Sequence, residues 1–196
     1  MRSTALLALV FCACAKPVLR GEHEYTVVQS HYSLEMLPNG EMAMPGWSFS
    51  PSANTPGQPD FGFGDGYGTT DFFIVHGIRL RDDEATLPLP ELAKRWHGDL
   101  AVFGLHYAHV AVPGRAVLSD PSEARPVAGV AANSVEFTMH YDWAGAAYDV
   151  YTAILRDPGR NSVVVVMHGS DPAGFQASVD QARNLAGRVR FDAPLR

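Results

Sequence analysis

Three consecutive stretches in the second half of the chain are dense in β-branched and aromatic residues: "SVEFTMHYDW", "AAYDVYTAIL" and "SVVVVMHG". Such residues favour pleated strands. Short turn segments, "AG" and "RDPGRN", separate the stretches, which therefore predict an antiparallel meander. Side chains alternate along the first stretch, so one face is predicted to be core and the other wetter. The predicted core face carries Val135, Phe137, Met139, Tyr141 and Trp143, and the wetter face carries Glu136, Thr138, His140 and Asp142.

The meander is followed by the clearest helix in the sequence, which is predicted to start after Asp171 and to stop at Gly187. Asp171 is a favourable N-cap, because its side chain can accept hydrogen bonds from free N–H groups of the first turn. Pro172 suits the first helical position, where no N–H is needed. A short final strand, "RVRF", comes next. The apolar stripe of the helix consists of Phe175, Val179, Ala182 and Leu185.

Two segments in the first half of the chain are predicted as strands. "YTVVQSHYSLEML", residues 25–37, ends at the turn signal "PNG", and a short strand is expected to start at Glu41. "TDFFIVHGIRL", residues 70–80, is rich in β-branched and aromatic residues, which indicates a buried strand.

An earlier helix is predicted from apolar residues that recur every three or four positions, with Pro90 in the first turn. The segment "LHYAHVAV", residues 105–112, is then predicted to return as a strand. The recurring apolar residues of the helix are Leu89, Leu92, Trp96 and Leu100.

This order of elements predicts an α+β fold, in which a mostly antiparallel sheet is flanked by helices. A length of 196 residues fits one domain with a proper core, which we expect over residues 25–192. The large side chains of the strands and of both helices are expected to share one core. Its predicted members are Trp47, Trp96, Phe137, Tyr141, Phe175 and Leu185.

The N-terminus predicts export. Arg2 precedes an apolar run over residues 5–11 that is too short to span a bilayer, and small residues follow it. The sequence "FCAC" resembles the lipobox of bacterial lipoproteins, with Phe11 at the position where Leu is usual, and this makes Cys14 the predicted lipidated residue. A cleaved secretory signal and a cytosolic protein with an apolar N-terminus are the alternatives.

Lipidation at Cys14 would divide the N-terminal region into a removed signal peptide, residues 1–13, and a tether, residues 14–24. Ala15 follows the cysteine, where many inner-membrane lipoproteins carry Asp, so we expect delivery to the outer membrane. Three acyl chains would anchor the protein stably, because each buried methylene adds about 0.8 kcal/mol.

Composition disfavours several classes of ligand. The chain has 15 Lys and Arg against 21 Asp and Glu, a net charge of -6 without a basic cluster, so a nucleic-acid partner is not expected. Both cysteines, Cys12 and Cys14, lie in the predicted signal region, so the mature domain offers no thiolate, and neither a structural metal nor a cofactor is predicted. With 46% apolar residues, disorder across the whole chain is excluded.

One motif resembles a known family. "MPGWSFS", residues 44–50, resembles the "P-x-G-W" opening of PsbP-like domains, which also occur in bacterial lipoproteins of the LpqN and DcrB kinds. The order of elements, ending in "FQASVDQARNLAGRVRF", resembles the same family over most of residues 25–192. The resemblance implies a PsbP-like sandwich that binds or assembles with other proteins and has no catalytic residues.

A long segment rich in Gly and Pro, residues 51–68, departs from the plain family pattern and is predicted to be a loop, with an irregular edge strand as its possible end. Its sequence "FGFGDGYG" alternates glycine with larger residues. No helix starts there to support a phosphate site, so the segment is interpreted either as a flexible loop whose aromatic side chains pack onto the sheet or as a partner contact surface. The candidate contacts are Phe61, Phe63, Asp65 and Tyr67.

Two groups of polar residues have the residue types of a metal or acid/base site. His106 and His109 form H-x-x-H, but residues three apart on a strand face opposite sides and cannot share one metal. His140, Asp142 and Asp149 could approach one another on the wetter face of neighbouring strands, although exposed polar alternation explains the same pattern. No catalytic residue is predicted from either group.

The sequence therefore predicts a non-enzymatic lipoprotein of the cell envelope. It is expected to bind another envelope or secreted protein through a sheet face or through the segment rich in glycine and aromatic residues. One alternative is an accessory or immunity lipoprotein of a secreted toxin system. Another is a lipid or small-molecule carrier, which would need an apolar cavity. A hydrolase would need a convergent His, Asp and Ser group.

Overall fold

Eleven strands and three helices form the described part of the chain. The computed structural model describes residues 18–20, 24–27, 31–35, 48–51, 60–64, 71–107, 117–130, 133–143 and 146–192. The strands are β1 (Val18–Arg20), β2 (Glu24–Val27), β3 (Tyr32–Glu35), β4 (Ser48–Pro51), β5 (Phe61–Gly64), β6 (Phe72–Arg79), β7 (Val117–Leu118), β8 (Ser134–Trp143), β9 (Ala146–Arg156), β10 (Ser162–Ser170) and β11 (Val189–Phe191). The helices are α1 (Asp82–Ala85), α2 (Leu89–Tyr107) and α3 (Pro172–Ala186).

The strands form two antiparallel sheets. The larger sheet has seven strands in the order β4-β5-β6-β10-β9-β8-β7, and the smaller one has four in the order β1-β2-β3-β11. The predicted meander is confirmed, because β8 pairs with β9 and β9 pairs with β10 in antiparallel register. The predicted α+β class with a mostly antiparallel sheet flanked by helices is also confirmed.

The two long helices pack on opposite faces of the larger sheet. Neighbouring residues of β6 show this alternation, because Phe72 packs in the cluster that contains α2, whereas Phe73 packs in the cluster that contains α3. The smaller sheet also packs on the α3 side, through Tyr32 and Leu34, which are fully buried. The central strands of the larger sheet are therefore buried on both faces.

The expectation of a single core is wrong. Phe137 and Trp96 belong to the apolar cluster under α2, whereas Phe175 and Leu185 belong to the separate cluster under α3. Trp47 and the side chain of Tyr141 lie outside the described residues. The physical reason is that side chains of one strand alternate between the two faces, so a sheet covered on both sides has two cores.

The predicted strand over residues 25–37 is two strands instead. β2 and β3 pair with each other, with Glu24 opposite Glu35. His31, directly before β3, has a φ of 55° and lies in the left-handed region that few residues other than glycine adopt. Part of the predicted tether also joins this sheet, because residues 18–20 form β1 and pair with β2. The sequence pattern alone does not reveal this reversal, which depends on pairing with β1 and β11 on either side.

The first long helix starts where predicted but ends later. α2 continues to Tyr107, so the prediction of a strand over residues 105–112 is wrong in its first three residues, and His106 lies on a helix. The later residues of that range, with His109, lie outside the described residues. None of the described helices is both long enough and apolar enough to cross a bilayer.

The segment rich in Gly and Pro also contributes to the sheet. Residues 61–64 form β5, which pairs with β4 on one side and with β6 on the other. The prediction of a loop is therefore wrong at residues 51 and 61–64, and β5 lies between two other strands instead of at the edge of the sheet. Phe61 opposes Val75 of β6, so tertiary packing overrides the low strand propensity of the glycines.

A carboxylate beside β5 links the two sheets. The Asp60 Oδ2 atom accepts hydrogen bonds from the Tyr32 hydroxyl at 2.9 Å and from the Gly77 N–H at 2.7 Å. Tyr32 belongs to the smaller sheet and Gly77 to the larger one. Burial and the Asp60 charge raise the pKa of the Tyr32 hydroxyl well above its ordinary value, so it stays a hydrogen-bond donor.

Two glycines on the α2 side leave room for the ring of Phe72. A Cβ atom built on Gly169 of β10 would lie 2.3 Å from Cε1 of Phe72, and one on Gly104 of α2 would lie 2.6 Å from Cζ. The ring therefore occupies the space that two side chains would otherwise fill. Gly169 sits in a strand paired on both sides, so the backbone there has little room to shift.

We predict that Gly169→Ala destabilises the protein by about 1–3 kcal/mol, because overpacking of a well-filled core costs that much. The smaller side chain in Phe72→Leu should relieve the clash, so the double variant should be more stable than the sum of the two single changes implies. Urea unfolding of the four proteins checks this. A Gly169→Ala protein as stable as wild type would contradict the described packing.

Candidate functional site

The predicted site residues fall mostly outside the described part of the chain. Cys14, Asp65 and Tyr67 lie outside it, and Phe63 is described only as a backbone position of β5. Phe61 is fully buried and packs edge-to-face against Tyr32, with ring centroids 6.1 Å apart. The burial of Phe61 corrects its assignment as a partner contact, because a partner cannot reach a side chain in the core.

The histidine and carboxylates of the wetter face do come together. The pairing of β8 with β9 places His140 opposite Asp149, and His140 Nδ1 lies 2.8 Å from Asp149 Oδ1. The other ring nitrogen, Nε2, lies 3.7 Å from Asp142 Oδ1. The hydrogen bond with Asp149 raises the pKa of His140, against an opposing effect of desolvation.

Both nitrogens of His140 therefore face carboxylates, an arrangement that suits an imidazolium. In an imidazolium both ring nitrogens carry protons, so neither offers a lone pair to a metal. Among the residues that the structure describes, no group of three or more His, Cys, Asp or Glu side chains is arranged to hold a metal ion.

The most unusual polar residue of the described sheet is Glu136, which the alternation assigned to the wetter face. It is only 3% exposed. Its Oε1 atom accepts from Arg125 Nε at 2.9 Å, and its Oε2 atom accepts from the Tyr151 hydroxyl at 3.0 Å and from Arg183 Nε at 3.2 Å. A buried carboxylate requires such compensation, because removal of the charge from water is costly.

Three separate parts of the fold bring these partners to Glu136. Arg125 comes from the segment that follows β7, where its backbone forms a β-bridge with Glu136. Tyr151 comes from β9, and Arg183 comes from α3. The Arg183 guanidinium also lies 5.7 Å from the centroid of the Tyr151 ring. No sequence spacing indicates this cluster, since its members are far apart in the chain.

A cleft of about 340 Å³ opens over this cluster, and we call it the Glu136 cleft. Arg125 at its rim has a side chain that is 67% exposed, whereas the Glu136 side chain is 4% exposed. Within the described residues, Arg125 contacts Glu136 through Nε alone, which leaves its two terminal nitrogens as available donors. The lining residues are Ser122, Glu123, Arg125, Glu136, Phe137, Thr138, Tyr151 and Arg183.

The groups in the Glu136 cleft suit binding better than proton transfer. Two arginines pair with the Glu136 carboxylate, so both of its oxygens accept from donors of the fold. Burial, and then the Glu136 charge, raise the pKa of the Tyr151 hydroxyl far above its ordinary value. The Tyr151 hydroxyl is therefore not poised to release a proton near neutral pH.

A second pair, His168 and Ser178, lies under α3. His168 is fully buried, with its ring 4.0 Å from that of Phe73 and 5.6 Å from that of Phe175. Its Nδ1 atom lies 3.0 Å from the carbonyl oxygen of Phe72 and must carry a proton to bond it, and Nε2 lies 2.6 Å from the Ser178 hydroxyl oxygen. The same hydroxyl donates to the Gly174 carbonyl oxygen at 2.8 Å. Burial lowers the pKa of His168.

This pair lacks the carboxylate that orients the histidine in a catalytic triad, because a backbone carbonyl takes that place. The predicted N-cap Asp171 is confirmed as structural, since its Oδ1 atom accepts from the N–H groups of Ala173 and Gly174, each at 2.9 Å. The His168 pair is therefore a buried polar contact that links β10 to α3.

The sequence matches no protein-family model and no curated protein. Three solved structures have a similar fold. Cyanobacterial PsbP (CyanoP) from Synechocystis has a TM-score of 0.50 and 13% identity, over 86% of this chain and 91% of that chain. LpqN, involved in cell envelope biogenesis of Mycobacterium tuberculosis, has a TM-score of 0.49 and 14% identity, over 83% of each chain. The Ran-binding protein Mog1p from Saccharomyces cerevisiae has a TM-score of 0.47 and 8% identity, over 86% of this chain and 94% of that chain.

The similarity to CyanoP shows that this chain has a PsbP-like fold, as the resemblance in its sequence implied. At this level of identity the likeness concerns the fold alone. The function of the chain has to be argued from its own residues.

We predict that the stability of the protein falls as the pH drops below about 6.5, in part because of His168. The pKa of His168 is lowered in the native state, so the unfolded chain binds the proton first as the pH falls. The loss of stability ends once the native state is protonated as well. His168→Phe keeps a ring between the two phenylalanines and should remove this part of the pH dependence. Urea unfolding between about pH 5 and pH 8 measures it.

His140 provides a control of opposite sign. Because the pKa of His140 is raised in the native state, its contribution to stability is fully present below the unfolded-state pKa. That contribution is lost as the pH rises through the native-state pKa. His140→Gln should therefore lower stability more at about pH 6 than at about pH 8. Shifts of the same sign in both variants would contradict these environments.

Proposed function

We propose that this protein is a non-enzymatic binding module, held at the bacterial cell envelope by a lipid at Cys14, whose described binding surface is the Glu136 cleft. The observation that carries the binding role is the state of Arg125. A buried carboxylate holds this guanidinium by Nε, yet the side chain stays 67% exposed. The protein thus presents a fixed cation at the surface of a cleft.

Fixation of the guanidinium matters because an unrestrained arginine loses side-chain entropy when it binds. Here the contact with Glu136 already restricts the side chain, while the two terminal nitrogens remain free to donate within the described part of the structure. The neighbouring hydroxyl groups are also ordered, since Ser122 Oγ accepts from the Thr138 N–H at 2.8 Å. A preorganised polar cleft of this kind supports recognition of another molecule.

The position of the cleft at the protein surface favours contact with a protein chain. Its rim is formed by the exposed residues of the segment after β7, including Glu123, and its floor by the sheet. A partner can therefore approach β8, which lies next to the edge strand β7, without displacing α3. Phe63, Asp65 and Tyr67 remain predicted contacts of a second surface.

The envelope location rests on the N-terminal sequence. The positive residue, the short apolar run and the "FCAC" motif together favour export and lipidation at Cys14. Delivery to the outer membrane is proposed from Ala15, which follows Cys14 in place of Asp.

We predict that Cys14→Ser abolishes labelling of the protein by a radioactive or alkyne fatty acid in bacterial cells. Cys12→Ser is the matched control, because it changes the neighbouring cysteine and should leave labelling intact. Equal labelling of the two variants would contradict lipidation at Cys14.

For the binding role, we predict that a photo-crosslinking amino acid at Glu123 forms an adduct with another polypeptide in intact cells. The control is the same amino acid at Glu91, which is exposed on α2 at the opposite face of the larger sheet and has a side chain 58% exposed. Adducts on gels would be compared after irradiation. Equal adducts at both positions, or none at Glu123, would refute the cleft as a binding surface.

A further inference from the structure

A second cleft adjoins the Glu136 cleft along α3. It has a volume of about 360 Å³ and is lined by Asp180, Arg183, Asn184 and Arg188 among others. Arg183 lines both clefts, so they follow one another between α3 and the segment that follows β7. We call the two clefts together the α3 groove.

The arginines of the α3 groove use their inner nitrogens for the fold. Arg125 and Arg183 each donate to Glu136 through Nε, and Arg188 donates through Nε to Asn184 Oδ1 at 2.7 Å. Of their six terminal nitrogens, one has a partner among the described residues, the Arg183 Nη1 atom that donates to Asp180 at 2.7 Å. The groove therefore presents a row of N–H donors that the described fold does not use.

The acidic residues of the groove do not occupy most of these terminal N–H donors. Glu136 is buried and directs its carboxylate at Nε atoms. Asp180 is 87% exposed and engages one nitrogen of Arg183. Glu123 lies at the rim of the first cleft. Exposed carboxylates of this kind pair weakly, because water screens them, so a ligand carboxylate can compete with them.

The environment of Arg188 points to the same chemistry. Burial lowers the pKa of its guanidinium, and the charge of Glu35 only partly offsets this. Among the described ion pairs, none contains Arg188. A cation that is partly desolvated and lacks an ion-pair partner is stabilised by an anion that binds beside it.

We propose that the α3 groove binds an acidic segment of a partner protein, with one Asp or Glu carboxylate between Arg125 and Arg183 and another at Arg188. This inference deepens the proposed function and rests on it, because it names the chemistry of the protein partner. Guanidinium groups bind carboxylates through paired N–H donors, which matches the free terminal nitrogens. Two adjoining clefts favour a chain with several carboxylates over a single small anion.

The test uses the full-length protein in an uncharged detergent, with a fluorescent hexaglutamate peptide as probe and hexaglutamine as the neutral control. Fluorescence anisotropy should show binding of hexaglutamate that weakens with added salt. Arg125→Gln and Arg188→Gln should each raise Kd about threefold to tenfold, as expected for loss of a partly exposed charged hydrogen bond.

Arg81→Gln is the matched control, because Arg81 has the same 67% exposure and also pairs with a buried glutamate, Glu84, on the α2 side. It should leave Kd unchanged. A loss of binding in Arg125→Gln could come indirectly from the loss of a partner for the buried Glu136. Arg188→Gln excludes this, because Arg188 does not contact Glu136. The melting temperature of each variant checks folding.

Four results would overturn the proposal: no binding of hexaglutamate, equal binding of hexaglutamine, an equal effect of Arg81→Gln, or glutarate binding as tightly as hexaglutamate. The last result would assign the groove to a small carboxylate instead. Crosslinking at Glu123 does not depend on charge. An adduct there without hexaglutamate binding would leave the binding module standing and refute only the acidic ligand.

Discussion

The architecture depends on a sheet whose central strands are buried on both faces. Along β10 the run from Val163 to Met167 is at most 2% exposed, yet consecutive side chains point into different cores. Val164 faces α3, and Val165 faces α2. Apolar burial contributes about 25 cal/mol per Å² only when each face has its own cover. One helix on each side, with the smaller sheet beside α3, satisfies this requirement.

The candidate site arises where that cover ends. On β8 the α2 side remains core, as the burial of Phe137 shows, but on the α3 side exposure increases along the strand from Glu136 to His140. Polar groups on this partly covered face need partners. Glu136 obtains two arginines and a tyrosine, and His140 obtains Asp149 and Asp142. Both the Glu136 cleft and the His140 cluster therefore lie where α3 no longer covers the sheet.

A buried ion-paired carboxylate is weak support for stability, because an apolar substitute often packs as well. The role of the Glu136 carboxylate here is to position its partners. Glu136 holds Arg125 and Arg183 by Nε, so the arginines stand in fixed places while their outer nitrogens face the cleft. A protein with a net charge of -6 thereby presents a local row of cationic donors, which favours an acidic partner over a basic one.

The sequence by itself determined the features that depend on local period and capping: the α+β class, the antiparallel meander, and α3 between its Asp171 cap and Gly187. Each is encoded by neighbours within a few residues. Only the tertiary structure decided which strands pair and what covers each face. The burial of Phe61 and Glu136, the continuation of α2 to Tyr107 and the two separate cores follow from contacts between distant segments. The alternation of a strand shows which side chains share a face. The element that packs on that face determines whether those side chains belong to the core, to a site or to the surface.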